Sequence, residues 1–115
     1  MLLRIKQTLF QGGEMIHPVV NEKLDIIRKI LKDNNVKQAY LFGSAVTEDF
    51  REESDIDILI NIDETLQPLE RGRCYWDVLF KLEDTTNRTI DLVTMDSLSN
   101  PFFIEELNQT KVEIL

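Results

Sequence analysis

Cysteine occurs once in this chain, as Cys74, so no intrachain disulfide can form and a reducing compartment is the expected setting. Histidine is as scarce. His17 has no second histidine or cysteine near it, which argues against a zinc site. Long apolar runs are also missing. Met1 to Phe10 mixes basic with apolar residues, and its longest apolar run is far too short for a signal-peptide core or a membrane span. A soluble, cytoplasmic protein without membrane contact is expected. Positive charge is in deficit, with 13 Lys and Arg against 21 Asp and Glu and a net charge of -8. Direct nucleic-acid binding draws its affinity from Lys and Arg on phosphates, so none is expected. The deficit does not exclude a nucleotide site, where a metal ion can carry the positive charge.

What is present suits one domain. The chain has 115 residues, 43% of them apolar, enough for a single core and little more. Val20, Leu24, Ile27 and Leu31 recur at helical spacing and predict a helix over Asn21 to Asn34, with Pro18 just before it. Val36 to Phe42 reads as a strand broken by Gly43-Ser44, where a turn or short helix starts. Thr47 to Ser54 is polar and reads as an exposed loop. Asp55 to Ile62 is the clearest strand: Asp55, Asp57 and Leu59 alternate with Ile56, Ile58 and Ile60. A long helix is expected over Gln67 to Thr85, opened by Pro68, and a third strand over Thr89 to Met95. Asn100-Pro101 starts a short helix, and Val112 to Leu115 reads as a last strand. The expected fold is α/β (α+β), one small mixed sheet with helices packed against it.

The stretch Gln11-Gly12-Gly13-Glu14-Met15 is also what a purine-rich ribosome-binding site ahead of an ATG codon would encode if read through. Residues 1–15 are therefore set apart as an N-terminal extension, with 16–115 as the domain. Met15 is a candidate natural start, and a plain first strand or helix over Leu2 to Phe10 is the alternative.

Three features carry chemistry. Leu41-Phe42-Gly43-Ser44 ends a strand in a residue without a side chain followed by a hydroxyl, which suits close approach of a phosphate but equally an ordinary turn. Asp55 and Asp57 share one strand face with Cα atoms about 6.7 Å apart. Like charges 4 Å apart repel by roughly 4 kcal/mol at an effective dielectric near 20, so the pair calls either for cations or for a solvated strand edge. Asp91 is a lone acid in the apolar run Thr89-Ile90-Asp91-Leu92-Val93. If its strand neighbours Asp55–Ile62, the three carboxylates make an oxygen-rich site for Mg²⁺ or Mn²⁺; otherwise Asp91 is an edge acid or pairs with Arg88.

Gly43-Ser44 followed after ten residues by Asp55-Ile56-Asp57 resembles the Gly-Ser…Asp-x-Asp pattern of the DNA polymerase beta nucleotidyltransferase superfamily. The wording Ser54-Asp55-Ile56-Asp57-Ile58-Leu59 and the late Asn100-Pro101-Phe102 resemble its minimal nucleotidyltransferase (MNT) members in particular, from about Ile16 to the C-terminus. That resemblance implies a nucleotidyltransferase that moves a nucleoside monophosphate, AMP from ATP, onto an acceptor. Gly43 and Ser44 would hold the β/γ phosphates, and Asp55, Asp57 and Asp91 would be catalytic and hold two Mg²⁺ ions. It further implies a HEPN-type protein partner and an antitoxin role in a two-gene toxin–antitoxin module. Many relatives carry Ala-Arg-Gly after the Gly-Ser, whereas Val46-Thr47-Glu48 stands here, without the arginine; Arg51 lies in the same loop. A binding module that neutralises its partner without chemistry, and a metal-dependent phosphohydrolase, are the alternatives.

Other residues read as structural. Tyr75, Trp76, Leu79, Phe80 and Leu82 are expected to pack into the core, with a partner-binding or base-stacking patch as the alternative. Cys74 is expected as a packed thiol, and Asp96 as a cap on the turn that follows it.

Overall fold

The computed structural model describes residues 15–115. The expected N-terminal extension, the ribosome-binding-site reading and the alternative element over Leu2 to Phe10 thus lie outside the described residues, apart from Met15. No helix among the described residues is long and apolar enough to cross a membrane.

The first helix is two helices. α1 runs Pro18–Asn21 and α2 Leu24–Asp33, with a turn at Glu22 and Lys23 between them. Pro18 sits inside the first turn rather than ahead of it, where its missing N–H costs nothing. The cause of the break is tertiary. The His17 N–H donates to the Ala45 carbonyl at 2.8 Å and its Nδ1 accepts from the Val19 N–H at 3.2 Å, so the first turn is anchored to another segment. After the turn the chain resumes with Leu24, Ile27, Ile30 and Leu31 buried. Asn35 ends the connection at φ 66°, a conformation asparagine tolerates better than most residues.

The strands follow as the alternation predicts. β1 is Val36–Phe42, β2 is Ile56–Ile62, β3 is Ile90–Thr94 and β4 is Val112–Glu113. Among the described residues they form one sheet in the order β3-β2-β1-β4. β2 lies antiparallel to β1 and parallel to β3, and β4 is antiparallel to β1. The parallel pair needs a crossover, supplied by α3, Pro68–Thr86. Asn87, left-handed at φ 57°, closes that helix. α4, Pro101–Thr110, follows a short turn and is capped by Asn100, whose Oδ1 accepts from the Phe102 and Phe103 N–H groups. Asp96 accepts no capping bond among the described residues: its carboxylate lies 3.5 Å from Arg71, because the turn after β3 faces the start of α3.

The two faces of the sheet differ. Ile56, Ile58 and Ile60 point to the face covered by α2 and α3 and meet Ile27, Leu31, Val78 and Leu82 in the main core. Fully burying each such side chain stabilises by about 1.5–3 kcal/mol. The opposite face holds Phe42 and Leu59 under Leu107 of α4, with Tyr40, Val93, Met95 and Leu98 alongside. The aromatic crowd on α3 divides. Leu82 is buried and Tyr75 and Leu79 are partly buried, as expected for core, but Trp76 and Phe80 are 54% and 61% exposed. The helix buries the stripe Cys74, Val78, Leu82 and Thr86 against the core, with Tyr75 and Leu79 at its margin, and those two rings lie on its far side. Cys74 is buried as expected, its sulfur accepting from Asn35 Nδ2.

Candidate active site

β1 delivers the chain to the site in extended form. Gly43 then turns at φ +66° into a single turn of 3-10 helix, Gly43–Val46. Glycine is required there for two reasons. Its backbone is left-handed, and a Cβ would overlap the Asp57 carboxylate. The glycine thus lets the backbone pass against that carboxylate. The turn is held from behind. The Ser44 carbonyl accepts from the Thr47 N–H at 3.0 Å and its hydroxyl at 2.9 Å, while Ala45 and Val46 are buried. Val46-Thr47-Glu48 therefore builds the turn with Val46 and Thr47, and leaves Glu48 exposed.

The three acids come together. Asp55 stands one residue ahead of β2, Asp57 is the second residue of that strand, and Asp91 is the second residue of β3. Asp57 is opposite Phe42 on one side and in direct register with Asp91 on the other. Cross-strand partners share a face, so Phe42, Asp57 and Asp91 point the same way, away from the main core. Asp57 is half-buried, whereas Asp55 and Asp91 are exposed. Burial, reinforced by the charges of Asp91 and Asp55 and by a hydrogen bond to Asp91, pushes the Asp57 carboxyl up to about 6. Burial and the same Asp91 charge also raise the Tyr75 phenol.

No lysine or arginine among the described residues forms an ion pair with any of these acids. Arg88, a conceivable partner of Asp91, instead turns toward the loop ahead of β2. Its guanidinium donates to the carbonyls of Arg51, Glu52 and Ser54 at 2.9–3.0 Å and lies 4.5 Å over the Phe50 ring. Arg51 is exposed, and its position gives no sign that it replaces the arginine missing from the turn. The wall beside Asp57 is aromatic: Phe103, at the start of α4, packs edge-on against Phe42 with ring centroids 6.1 Å apart. Only the Asn100-Pro101 helix start hinted at this contact in the sequence.

The donor set fits a hard divalent cation. It consists of carboxylate oxygens, those of Asp57 and Asp91 in direct register, with no Lys or Arg among the described residues paired to them. Among the described residues no three such groups form a ready-made metal cage.

Residues 25–115 match the family model described as "Polymerase beta, Nucleotidyltransferase". The chain belongs to the polymerase beta nucleotidyltransferase family. Within it, this nucleotidyltransferase is 33% identical over 96 residues to MJ1379 of Methanocaldococcus jannaschii, assigned as a protein adenylyltransferase, covering 83% of this chain and 94% of that one. Its fold matches a chain of a toxin–antitoxin crystal structure with AMP-PNP at a TM-score of 0.65 and 26% identity, over 80% of this chain and 72% of the other. It also matches a chain in the complex of tri-AMPylated HEPN toxin with MNT antitoxin from Shewanella oneidensis, at a TM-score of 0.58 and 25% identity, over 83% and 71% of the two chains. The mixed four-stranded sheet with helices is the architecture expected for this family.

Proposed function

We propose that this nucleotidyltransferase moves AMP from ATP onto a side-chain hydroxyl of a HEPN-type protein, and so acts as the antitoxin of a two-gene module. The observation that carries this reading is the register pair Asp57–Asp91 beside Gly43: unpaired acids on one face, next to a turn that accepts close approach. Support for the protein acceptor comes from the relatives, one assigned as a protein adenylyltransferase and one solved with an AMPylated toxin.

Gly43 and Ser44 would receive the β/γ phosphates, the glycine by leaving room and the serine through its hydroxyl. Asp55, Asp57 and Asp91 would hold two magnesium ions. When bound, these ions supply charge neutralisation on the phosphates. Burial first, and the charges of Asp91 and Asp55 second, raise the proton affinity of Asp57, and a cation would relieve the second of these. The acceptor oxygen forms its bond to the α-phosphorus as the bond to the β-phosphate bridging oxygen breaks and pyrophosphate leaves. Asp91, which is exposed, would help draw off the hydroxyl proton.

The test is intact-mass analysis of a HEPN-type protein encoded beside this gene, incubated with the enzyme, Mg²⁺ and each nucleoside triphosphate in turn. An added AMP mass with ATP, absent with Asp57→Asn, is the expected result. A second reading, neutralisation by binding alone, is favoured by the missing arginine and the exposed Glu48 beside the turn. It is supported instead if a stable complex forms, no mass is added, and Asp57→Asn still neutralises.

A further inference from the structure

An exposed apolar line lies on α3, away from the transfer site. Leu69, Trp76 and Phe80 are 81%, 54% and 61% exposed. Seven residues make two helical turns and eleven make three, so these side chains form one line along the helix. That line runs opposite the buried stripe Cys74, Val78, Leu82 and Thr86. The Trp76 and Phe80 rings stack on each other at 5.7 Å and 28°, and Tyr75 packs edge-on to Trp76 at 5.3 Å. Two stacked rings held in solvent on a rigid 19-residue helix make a contiguous apolar patch of the kind that marks an interaction surface.

The charges beside that line show what fits it. Arg73 and Asp84 lie on the same flank of the line, eleven residues apart, and Asp77 and Lys81 lie one step further out on that flank. Among the described residues Arg73 reaches Glu70, at 3.8 Å and with both side chains well exposed. If a second α3 is laid antiparallel on the first about a two-fold axis near Val78, Trp76 of each copy meets Phe80 of the other. Arg73 then faces Asp84 of the second copy. In an antiparallel helix pair each flank meets the same flank of its partner, so one basic and one acidic position on a single flank is self-complementary.

We propose that the outer face of α3 docks antiparallel against the same face of a second copy of this chain, with the Trp76 and Phe80 rings at the centre and paired Arg73–Asp84 contacts at each end. The acids lie on the other face of the sheet, so both transfer sites stay open in the dimer. The proposal does not depend on the reaction catalysed.

Sedimentation of the purified protein over a range of concentrations tests it. A monomer–dimer equilibrium is expected, with the Trp76 fluorescence changing as the dimer forms. Trp76→Ala/Phe80→Ala should raise the dissociation constant about tenfold or more while circular dichroism stays unchanged. Arg73→Asp should weaken the dimer, and Arg73→Asp combined with Asp84→Arg should restore it. A chain that stays monomeric at every concentration overturns the proposal, as does a dimer indifferent to both the ring and charge variants. So does a Trp76 signal that responds only when a HEPN-type protein is added, which would assign the face to that partner.

Discussion

Neighbouring residues of β2 live in opposite worlds. Ile56, Ile58 and Ile60 face helices α2 and α3 and are almost wholly removed from solvent. Asp57 and Leu59, one step away, face the other side, where α4 covers Leu59 and leaves Asp57 half-open. One strand thus supplies stability on one face and concentrated like charge on the other. The period of two in a strand makes this separation possible, because adjacent residues cannot disturb each other's surroundings. Asp57 is held in an unfavourable state, desolvated and beside two other carboxylates, and the isoleucine face offsets that cost.

Substitutions at adjacent positions should therefore have opposite signatures. Asp57→Asn should abolish nucleotidyl transfer, by about three orders of magnitude or more, since metal contacts contribute several kcal/mol to a transition state and each 1.4 kcal/mol is tenfold. Its melting temperature without metal should stay level or rise, because a repelled carboxylate has been removed. Ile58→Ala should do the reverse. Its denaturation midpoint should fall by the equivalent of about 3 kcal/mol, while transfer by the remaining folded protein changes little. Gly43→Ala touches both properties. Its left-handed backbone and the clash with Asp57 should lower stability by about 1–2 kcal/mol and displace the acid, with loss of activity read in the same transfer assay.

Two smaller effects sharpen the contrast. Arg88→Ala removes three carbonyl contacts and the Phe50 stacking, so the loop 47–54 should loosen, seen as faster amide exchange there and about 1–2 kcal/mol of lost stability. The pH dependence isolates Asp57 itself. Its folded value of about 6 lies above the ordinary 3.8, so the folded state binds the proton more tightly than the unfolded state. Its contribution is neutral below pH about 4, turns destabilising as pH rises toward about 6, and is constant above. In chelator, the wild type should lose stability across that window relative to Asp57→Asn, as measured by denaturant titration at each pH.

Much of this was legible in the sequence because its signals are local. Strict alternation marks β2 and an aspartate inside a β-branched run marks β3, while the resemblance to the Gly-Ser…Asp-x-Asp pattern singles out the three acids and the Gly-Ser turn. What was not legible depends on distant segments. The break between α1 and α2 is tied to a bond from His17 to Ala45. Arg88 was readable only as a neighbour of Asp91, yet its partners lie 34 to 37 residues earlier. The outward turn of Trp76 and Phe80 was hidden because hydrophobic content alone does not say which stripe of a helix meets the sheet. The Phe42–Phe103 wall joins residues from opposite ends of the domain and left no spacing to read.

On the proposed function, the Asp57 face is a cation-dependent nucleotide site kept at a cost by the face behind it. Thermal denaturation of the wild type and Asp57→Asn, each with and without Mg²⁺ and a non-hydrolysable ATP analogue, tests this most directly. The wild type should melt at a higher temperature only when metal and nucleotide are present together, by about 2.7 kcal/mol of added stability at a hundredfold excess over the dissociation constant. Asp57→Asn should start level with or above the wild type and gain little. Equal gains in both proteins, or none in either, would contradict the claim.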